Sequence, residues 1–242
     1  MGKRRFNDTQ LIVLQHLIGL EMGLDFSREK MDFFEKKIIS ACDELGLGTD
    51  EFCFSDLLSK PLSKRKIEVL ASHLTIGETH FFRDKKTIAL LKDRLLPSII
   101  HSKQVKGSKR IRIWSAGACT GEEPYTVAML FLTLLPDWKE WEITILGTDI
   151  NTQFLRKATE GIYSQWSFRE TPTWVKKTFF NIISPESFEI HPDIKKLVTF
   201  SYLNLADDNY PSVLNNTNAM DLILCRNVLM YFSSEMRRQV IN

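Results

Sequence analysis

Between residues 110 and 135 the chain changes period across a glycine-bracketed turn, and few folds accommodate that change. Residues 110–115 alternate polar and apolar side chains as a strand does. Residues 125–135 repeat apolar side chains at helical steps, with Pro124 suited to the first turn. Between the two lies Trp114-Ser115-Ala116-Gly117-Ala118-Cys119-Thr120-Gly121-Glu122-Glu123-Pro124-Tyr125. A strand that re-enters as a helix through such a loop aims unpaired backbone N–H groups at the space above the sheet edge, so the turn reads as a cofactor site.

Charge narrows the cofactor. Phosphate-binding turns leave the helix start free for an anion or place a lysine there, whereas this one carries Glu122 and Glu123. Two carboxylates repel a phosphate and attract an ammonium or hydroxyl donor, so a nucleoside with a cationic end, such as S-adenosylmethionine, fits better than ATP. Taken alone, the pair is equally consistent with complementing the helix dipole.

A length of 242 residues allows one large domain or two modest ones, and a formal net charge of +2 provides no global argument for nucleic-acid binding. No apolar run reaches membrane-spanning length and the first residues lack a signal-peptide core, so a cytoplasmic chain without membrane insertion is expected. Cys42, Cys53, Cys119 and Cys225 show no C-x-x-C spacing and are expected to be free, mostly buried thiols. The five histidines form neither an H-E-x-x-H pair nor part of a G-x-S-x-G elbow, so no metal site is expected.

The first third reads as helical. Leu11, Leu14, Leu17 and Ile18 share one helix face that Gly19 and Gly23 interrupt. Met31, Phe34, Ile38, Cys42 and Leu45 form a second, with Ser27 as its cap. Thr49 or Asp50 is placed to cap a short helix, and Ser63 another with the stripe Ile67, Leu70, Ala71 and Leu74. From residue 110 the order becomes strand 111–115, helix 125–135, strand 143–148: a βαβ unit with parallel strands. Further strands are expected at 197–203 and 221–225, the second an apolar run suited to burial on both faces. The aromatic, proline-punctuated stretch 161–196 reads as an insertion over the cofactor side or as an excursion that covers the core.

Asp149 ends the second strand, where a carboxylate accepts both ribose hydroxyls. Alone it is as consistent with a helix N-cap, but at this distance behind the glycine loop it reads as a ribose ligand. Asn204-Leu205 and Arg226-Asn227 follow the next two strands and arrive at the same sheet edge. Leu205 is placed to meet an adenine, and Asn227 the cofactor's amino-acid end. Gly77-Glu78-Thr79-His80-Phe81-Phe82-Arg83-Asp84 joins the helical part to the α/β part. Asp84 is an N-cap candidate, and Arg83 suits either a substrate carboxylate or an interdomain salt bridge.

Together these stretches, with Gly147-Thr148-Asp149-Ile150-Asn151 and Leu224-Cys225-Arg226-Asn227-Val228-Leu229-Met230-Tyr231-Phe232, closely resemble the chemotaxis receptor methyltransferases of the CheR type, in family order and over nearly the whole chain. The resemblance implies a helical N-terminal domain (1–80) and a Rossmann-like class I methyltransferase domain of α/β class with a mostly parallel sheet (81–242). It further implies a small antiparallel subdomain inserted at about 161–196. It implies transfer of a methyl group from S-adenosylmethionine to glutamate carboxylates of chemoreceptor cytoplasmic regions, leaving S-adenosylhomocysteine. By motif, Gly77, Thr79, Arg83, Gly117, Glu123, Asp149, Asn204, Leu205, Arg226 and Asn227 match cofactor-binding positions, and Arg83 and Tyr231 the catalytic centre.

Two departures stand out. The family's second helix carries a dense arginine face for an acidic receptor helix, whereas residues 28–37 alternate in sign. The chain also stops at Asn242, inside the helix expected after Cys225, where family sheets continue with an antiparallel strand pair, so an exposed sheet edge is expected. These departures motivate the alternative of a cofactor-binding but inactive regulatory module; a methyltransferase for another acidic protein is a further alternative, because it would share the same cofactor site.

Overall fold

Helices give way to a sheet near residue 110. The computed structural model describes residues 5–48, 50–59, 61–207 and 209–241, excluding the side chains of Arg28 and Asp50. The helical part comprises α1 (Asp8–Met22), α2 (Met31–Glu44), α3 (Asp50–Leu58) and α4 (Lys64–Leu74). A capping box starts α1: Gln10 N donates to Asn7 Oδ1 at 2.8 Å and Asn7 N to Gln10 Oε1 at 2.9 Å. Gly19, expected to interrupt this helix, lies within it, because the buried stripe of Leu11, Leu14, Leu17, Ile18 and Met22 outweighs a glycine's modest propensity cost; Gly23 ends it. Ser27 does not cap α2; a 3₁₀ turn at Arg28–Lys30 comes first. Ser63 does cap α4, accepting from Lys66 N at 3.3 Å, while Thr49 lies outside the described residues.

Asp84 starts α5 (Lys85–Leu90), which runs through a π-helical turn (Leu91–Leu95) into α6 (Leu96–Val105). Then follow β1 (Arg110–Ala116), α7 (Glu122–Leu134), β2 (Glu142–Asp149) and α8 (Thr152–Glu160). An insertion contains β3 (Ile162–Ser164), α9 (Thr173–Phe179), β4 (Phe180–Ser184), β5 (Ser187–Ile190) and α10 (Pro192–Lys195). The chain continues through β6 (Val198–Tyr202) and β7 (Leu222–Leu224) to α11 (Ser234–Ile241). The main sheet is parallel, in the order β6-β2-β1-β7, with Ile113 opposite both Ile145 and Leu222. This is the expected α/β Rossmann-like arrangement. Ile223, however, is 54% exposed rather than buried on both faces, because β7 is one of the two edge strands among the described residues.

The inserted strands form a separate antiparallel sheet, β3-β5-β4. Of the two readings of 161–196, the core-covering one is what the contacts show. The stretch turns an aromatic face to the core, with Tyr163, Phe168 and Phe180 rings 4.7 to 5.1 Å from that of Phe81. Its hydroxyls also reach the glycine loop, Tyr163 OH donating to Thr120 O at 2.8 Å. On the opposite sheet face Trp114, Leu146 and Leu203 share a hydrophobic cluster with Leu14, Phe34 and Leu70 of the helical part.

The thiol expectation fails at one pair. Cys42 of α2 and Cys53 of α3 are joined as a disulfide, with Cα atoms 5.9 Å apart. Two packed helices bring together cysteines that spacing alone does not pair. Cys119 and Cys225 are free.

Candidate active site

The carboxyl ends of the parallel strands open onto one cavity of about 440 Å³. Thr79, Arg83, Gly117, Glu123, Asp149, Asn204, Leu205, Arg226, Asn227 and Tyr231 all border it. Gly77 does not; a Cβ there would come within 2.7 Å of the ring of Phe154, which does border the cavity.

The 117–123 loop works differently from the expectation of free amides. Gly117 N and Ala118 N both donate to Thr148 O at 2.8 Å, Cys119 N to Asp149 Oδ2 at 2.9 Å, and Gly121 N to Ala118 O at 2.9 Å. With those donors engaged inside the chain, the loop supplies shape rather than an anion nest. Gly117 and Gly121 have φ of +76° and +94°, which other residues resist, and a Cβ on Gly117 would overlap Val228. The strand end and the post-β7 loop therefore meet without a side chain between them.

The two glutamates part company. Consecutive helix positions point about 100° apart, so only one faces the cavity. That one is Glu123, which accepts from Ser115 Oγ at 2.8 Å and Arg226 Nη1 at 3.0 Å. Glu122 is buried, does not border the cavity and accepts from Thr120 Oγ1 at 2.7 Å and Ser167 Oγ at 3.0 Å. The idea of a paired acidic site is thus corrected to a single carboxylate already facing an arginine. Burial raises the Glu123 carboxyl above its ordinary value, against the pull of Arg226.

Asp149 is not the cap of α8; Asn151 is, accepting from Gln153 N at 3.0 Å and Phe154 N at 3.2 Å. The Asp149 carboxylate instead accepts from Asn151 N and Cys119 N, both at 2.9 Å, and burial raises it too. Each of its oxygens keeps a further lone pair. The Asn204 amide donates to Glu21 O at 2.7 Å and Asp207 Oδ1 at 2.9 Å, so its side chain braces the strand end against the helical part.

Arg226 joins three segments. Besides Glu123 it donates through Nη2 to Arg83 O at 2.9 Å and lies 3.6 Å from Asp84 Oδ2. Arg83 in turn donates to the Glu78 carbonyl, and its half-buried side chain borders the cavity. The Tyr231 hydroxyl makes no hydrogen bond among the described residues, while its carbonyl accepts from Asp25 N at 2.8 Å.

That last bond belongs to a wall that the sequence reading missed. The α1–α2 connection, with Leu24, Phe26, Glu29 and Lys30, borders the cavity, and Leu24 bridges Phe232 in antiparallel fashion. The only sequence trace was a pair of apolar residues in an expected loop. His80 also borders the cavity, without a sequence signal of its own: it is 7% exposed, and burial followed by Arg169 lowers its pKa. Burial pushes the Cys119 thiol up to about 12, leaving it protonated near neutrality. No cluster of three or more metal-ligating side chains occurs among the described residues.

The cavity suits S-adenosylmethionine. The side-chain-free cradle at Gly117 admits a close ligand, Asp149 holds lone pairs at the ribose position of such folds, and Leu205 offers an apolar wall. The match is borne out by comparison: residues 77–242 match the family described as CheR methyltransferase, SAM binding domain. The chain is 30% identical over 234 residues to a chemotaxis protein methyltransferase of Borreliella burgdorferi, covering 96% of this chain and 81% of that one. It is 29% identical to chemotaxis protein methyltransferase 2 of Vibrio cholerae (100% and 81% covered). It is 28% identical to the chemotaxis protein methyltransferase of Escherichia coli (97% and 78% covered). The family model over residues 77–242, together with a relative 30% identical across nearly the whole chain, places the protein in the CheR methyltransferase family.

Proposed function

We propose that this cavity is where the chain transfers a methyl group from S-adenosylmethionine to glutamate carboxylates of methyl-accepting chemoreceptor proteins, forming glutamyl methyl esters. The observation that carries the reading is the convergence of Arg83, Glu123, Asp149 and Tyr231 on one cavity at the sheet's carboxyl edge. The bound cofactor supplies the activated methyl group; the chain's residues hold and orient both partners.

Asp149 would accept from the ribose hydroxyls. Leu205 would pack on the adenine, with Thr79, Gly117 and Asn204 shaping the pocket beside it. Glu123, Arg226 and Asn227 would hold the amino-acid end, the first matching its ammonium and the others its carboxylate. Gly77 acts by letting Phe154 close in. The acceptor glutamate is already ionised at neutral pH, with a reference pKa of about 4.3, so no general base is required. What the residues must supply is in-line placement with water shielded, and Arg83 would orient the carboxylate while Tyr231 donates to it.

The acceptor would be a helical cytoplasmic segment of a chemoreceptor, approaching where Glu29, Lys30 and Phe33 border the cavity. The mixed charge of the 28–37 stretch is partly turned inward: Glu35 is buried and accepts from Arg5 N at 2.8 Å and Phe6 N at 3.0 Å. The outward face still mixes signs, with Glu29 and Asp32 exposed beside Lys30 and Lys36, so the two lysines are the groups an acidic partner would meet. The reading places the chain in the cytoplasm; among the described residues no helix is long and apolar enough to cross a membrane.

Incubation with labelled S-adenosylmethionine and receptor cytoplasmic fragments should yield base-labile methyl esters, and their absence from every receptor tested would refute the proposal. Arg83→Ala and Tyr231→Phe should slow transfer by roughly 10- to 100-fold while cofactor affinity changes little, as expected when groups act mainly in the transition state.

A further inference from the structure

The segment that carries Thr79 and Arg83 belongs to no helix or strand, so its geometry must be imposed from outside. The insertion imposes it at Glu78, Thr79 and Phe81, while Thr126 and Arg226 hold Phe82 and Arg83. Arg169, its side chain 18% exposed, donates through Nη1 to Thr79 O at 3.2 Å and to Trp166 O at 2.9 Å, and pairs with the Glu78 carboxylate through Nη2. Its guanidinium lies 4.6 Å over the Trp166 ring, which restrains its plane. Two further bonds flank it: Phe81 N donates to Ser167 O at 2.9 Å and Thr171 Oγ1 to Phe81 O at 3.0 Å.

From the cavity side, Arg83 donates to the carbonyl of Glu78. The carbonyls of residues 78 and 79 are therefore each taken by a different arginine, one from the insertion and one from the candidate catalytic centre. We propose that Arg169 is a positioning residue for methyl transfer: by holding the Glu78 carboxylate and the Thr79 carbonyl it fixes the two residues that flank the peptide to which Arg83 is anchored, so the inserted subdomain sets the direction in which the Arg83 guanidinium points. This rests on the reading of Arg83 as the group that orients the acceptor carboxylate.

The geometry demands an arginine. A lysine can still pair with Glu78 but cannot span a carboxylate and two carbonyls with one planar fork. Misplacing a catalytic group by about 1 Å costs on the order of 100-fold in rate, so a slack anchor is felt in turnover before it is felt in folding.

The test has two arms, both in the full chain. In the first, the Arg83 Nε–H resonance is followed by NMR without ligand. It should be a single sharp peak in the wild type, shift or broaden in Arg169→Ala and Arg169→Lys, and change least in Glu78→Gln, which spares both carbonyl bonds. In the second, kcat for receptor methylation should fall roughly 10- to 100-fold in Arg169→Ala, with KM for S-adenosylmethionine within about threefold and the melting temperature nearly unchanged. An unaltered Arg83 resonance overturns the proposal, as does an altered one with wild-type kcat, or kcat, KM and melting temperature failing together. A wild type that methylates nothing refutes the proposed function instead, while the NMR arm still decides whether Arg169 positions Arg83.

Discussion

Replacing Gly117 by alanine adds one methyl group at the closest approach between the glycine loop and the post-β7 loop. Two costs follow. The residue has φ of +76°, a region where a Cβ costs roughly 1–2 kcal/mol. The new Cβ would also overlap Val228 Cγ2 and lie 3.4 Å from Val228 Cβ. Valine is stiff about χ1, so relief requires backbone movement, and overpacking of this kind costs about 1–3 kcal/mol. The sum, about 2–5 kcal/mol, corresponds to a melting temperature lowered by roughly 4–20 °C in a chain of this size. Because Gly117 and Val228 both border the cavity, S-adenosylhomocysteine binding measured by calorimetry should weaken as well. The double variant Gly117→Ala/Val228→Ala separates the two costs: removing the valine methyls abolishes the overlap and leaves only the backbone term. The urea-unfolding cycle should then show a coupling of about 1–3 kcal/mol. Wild-type stability in Gly117→Ala, or strict additivity in the double variant, would refute the reasoning.

Two further outcomes follow from burial and from the cysteines. Burial raises the Asp149 carboxyl, so above the ordinary carboxylate range near pH 4 the folded chain holds a proton that the unfolded chain has released. Its contribution to stability therefore declines as pH rises through that window, whereas accepting from both ribose hydroxyls favours the ionised, acceptor-only carboxylate, so binding strengthens. The difference between wild type and Asp149→Asn should show these opposite slopes in urea midpoints and calorimetric affinities; slopes of one sign would be a refutation. Alkylation of the denatured chain without reductant should modify only Cys119 and Cys225, and reduction should expose Cys42 and Cys53. Closing that short loop is worth about 3 kcal/mol, so reduction should lower the urea midpoint measurably.

What was legible in the sequence was what is local. The strand alternation of residues 110–115, the turn chemistry of Gly117 and Gly121, and the caps Ser63 and Asp84 are each decided by a few neighbouring residues. The order of site motifs was legible because parallel strands bring their carboxyl ends to one edge. What was hidden depends on contacts between distant segments. No local pattern says that Glu122 serves the insertion through Ser167 while Glu123 serves the cavity through Arg226. Nor does any say that the Asn204 amide reaches back to Glu21, or that Glu35 turns inward to hold Phe6. The cavity wall at Leu24 rests on a bridge to Phe232, more than 200 residues away. Cys42 and Cys53 meet only because α2 and α3 pack.

That wall bears on how far the two parts of the chain can be separated. A cut near residue 77 would leave the α/β part with its own strands and insertion, but with one sheet face stripped. Trp114, Leu146, Leu203, Leu205 and Phe232 are each at most 8% exposed and share their cluster with α1, α2 and α4. At about 1.5–3 kcal/mol for each large side chain returned to water, the loss is on the order of 10 kcal/mol. Domains of this kind have only about 5–15 kcal/mol in total. The fragment 77–242 should therefore aggregate or remain partly unfolded, and fail to bind S-adenosylhomocysteine because Leu24, Phe26 and Lys30 are gone from the cavity. The intact chain, for the same reason, should unfold in a single cooperative step monitored by far-ultraviolet circular dichroism and tryptophan fluorescence. A well-folded fragment that binds the ligand, or two separate transitions in the full chain, would mean that the residue near 80 divides two independent folding units. Coincident transitions would mean that it marks only a change from helices to sheet, and that the helical part is itself half of the cofactor site.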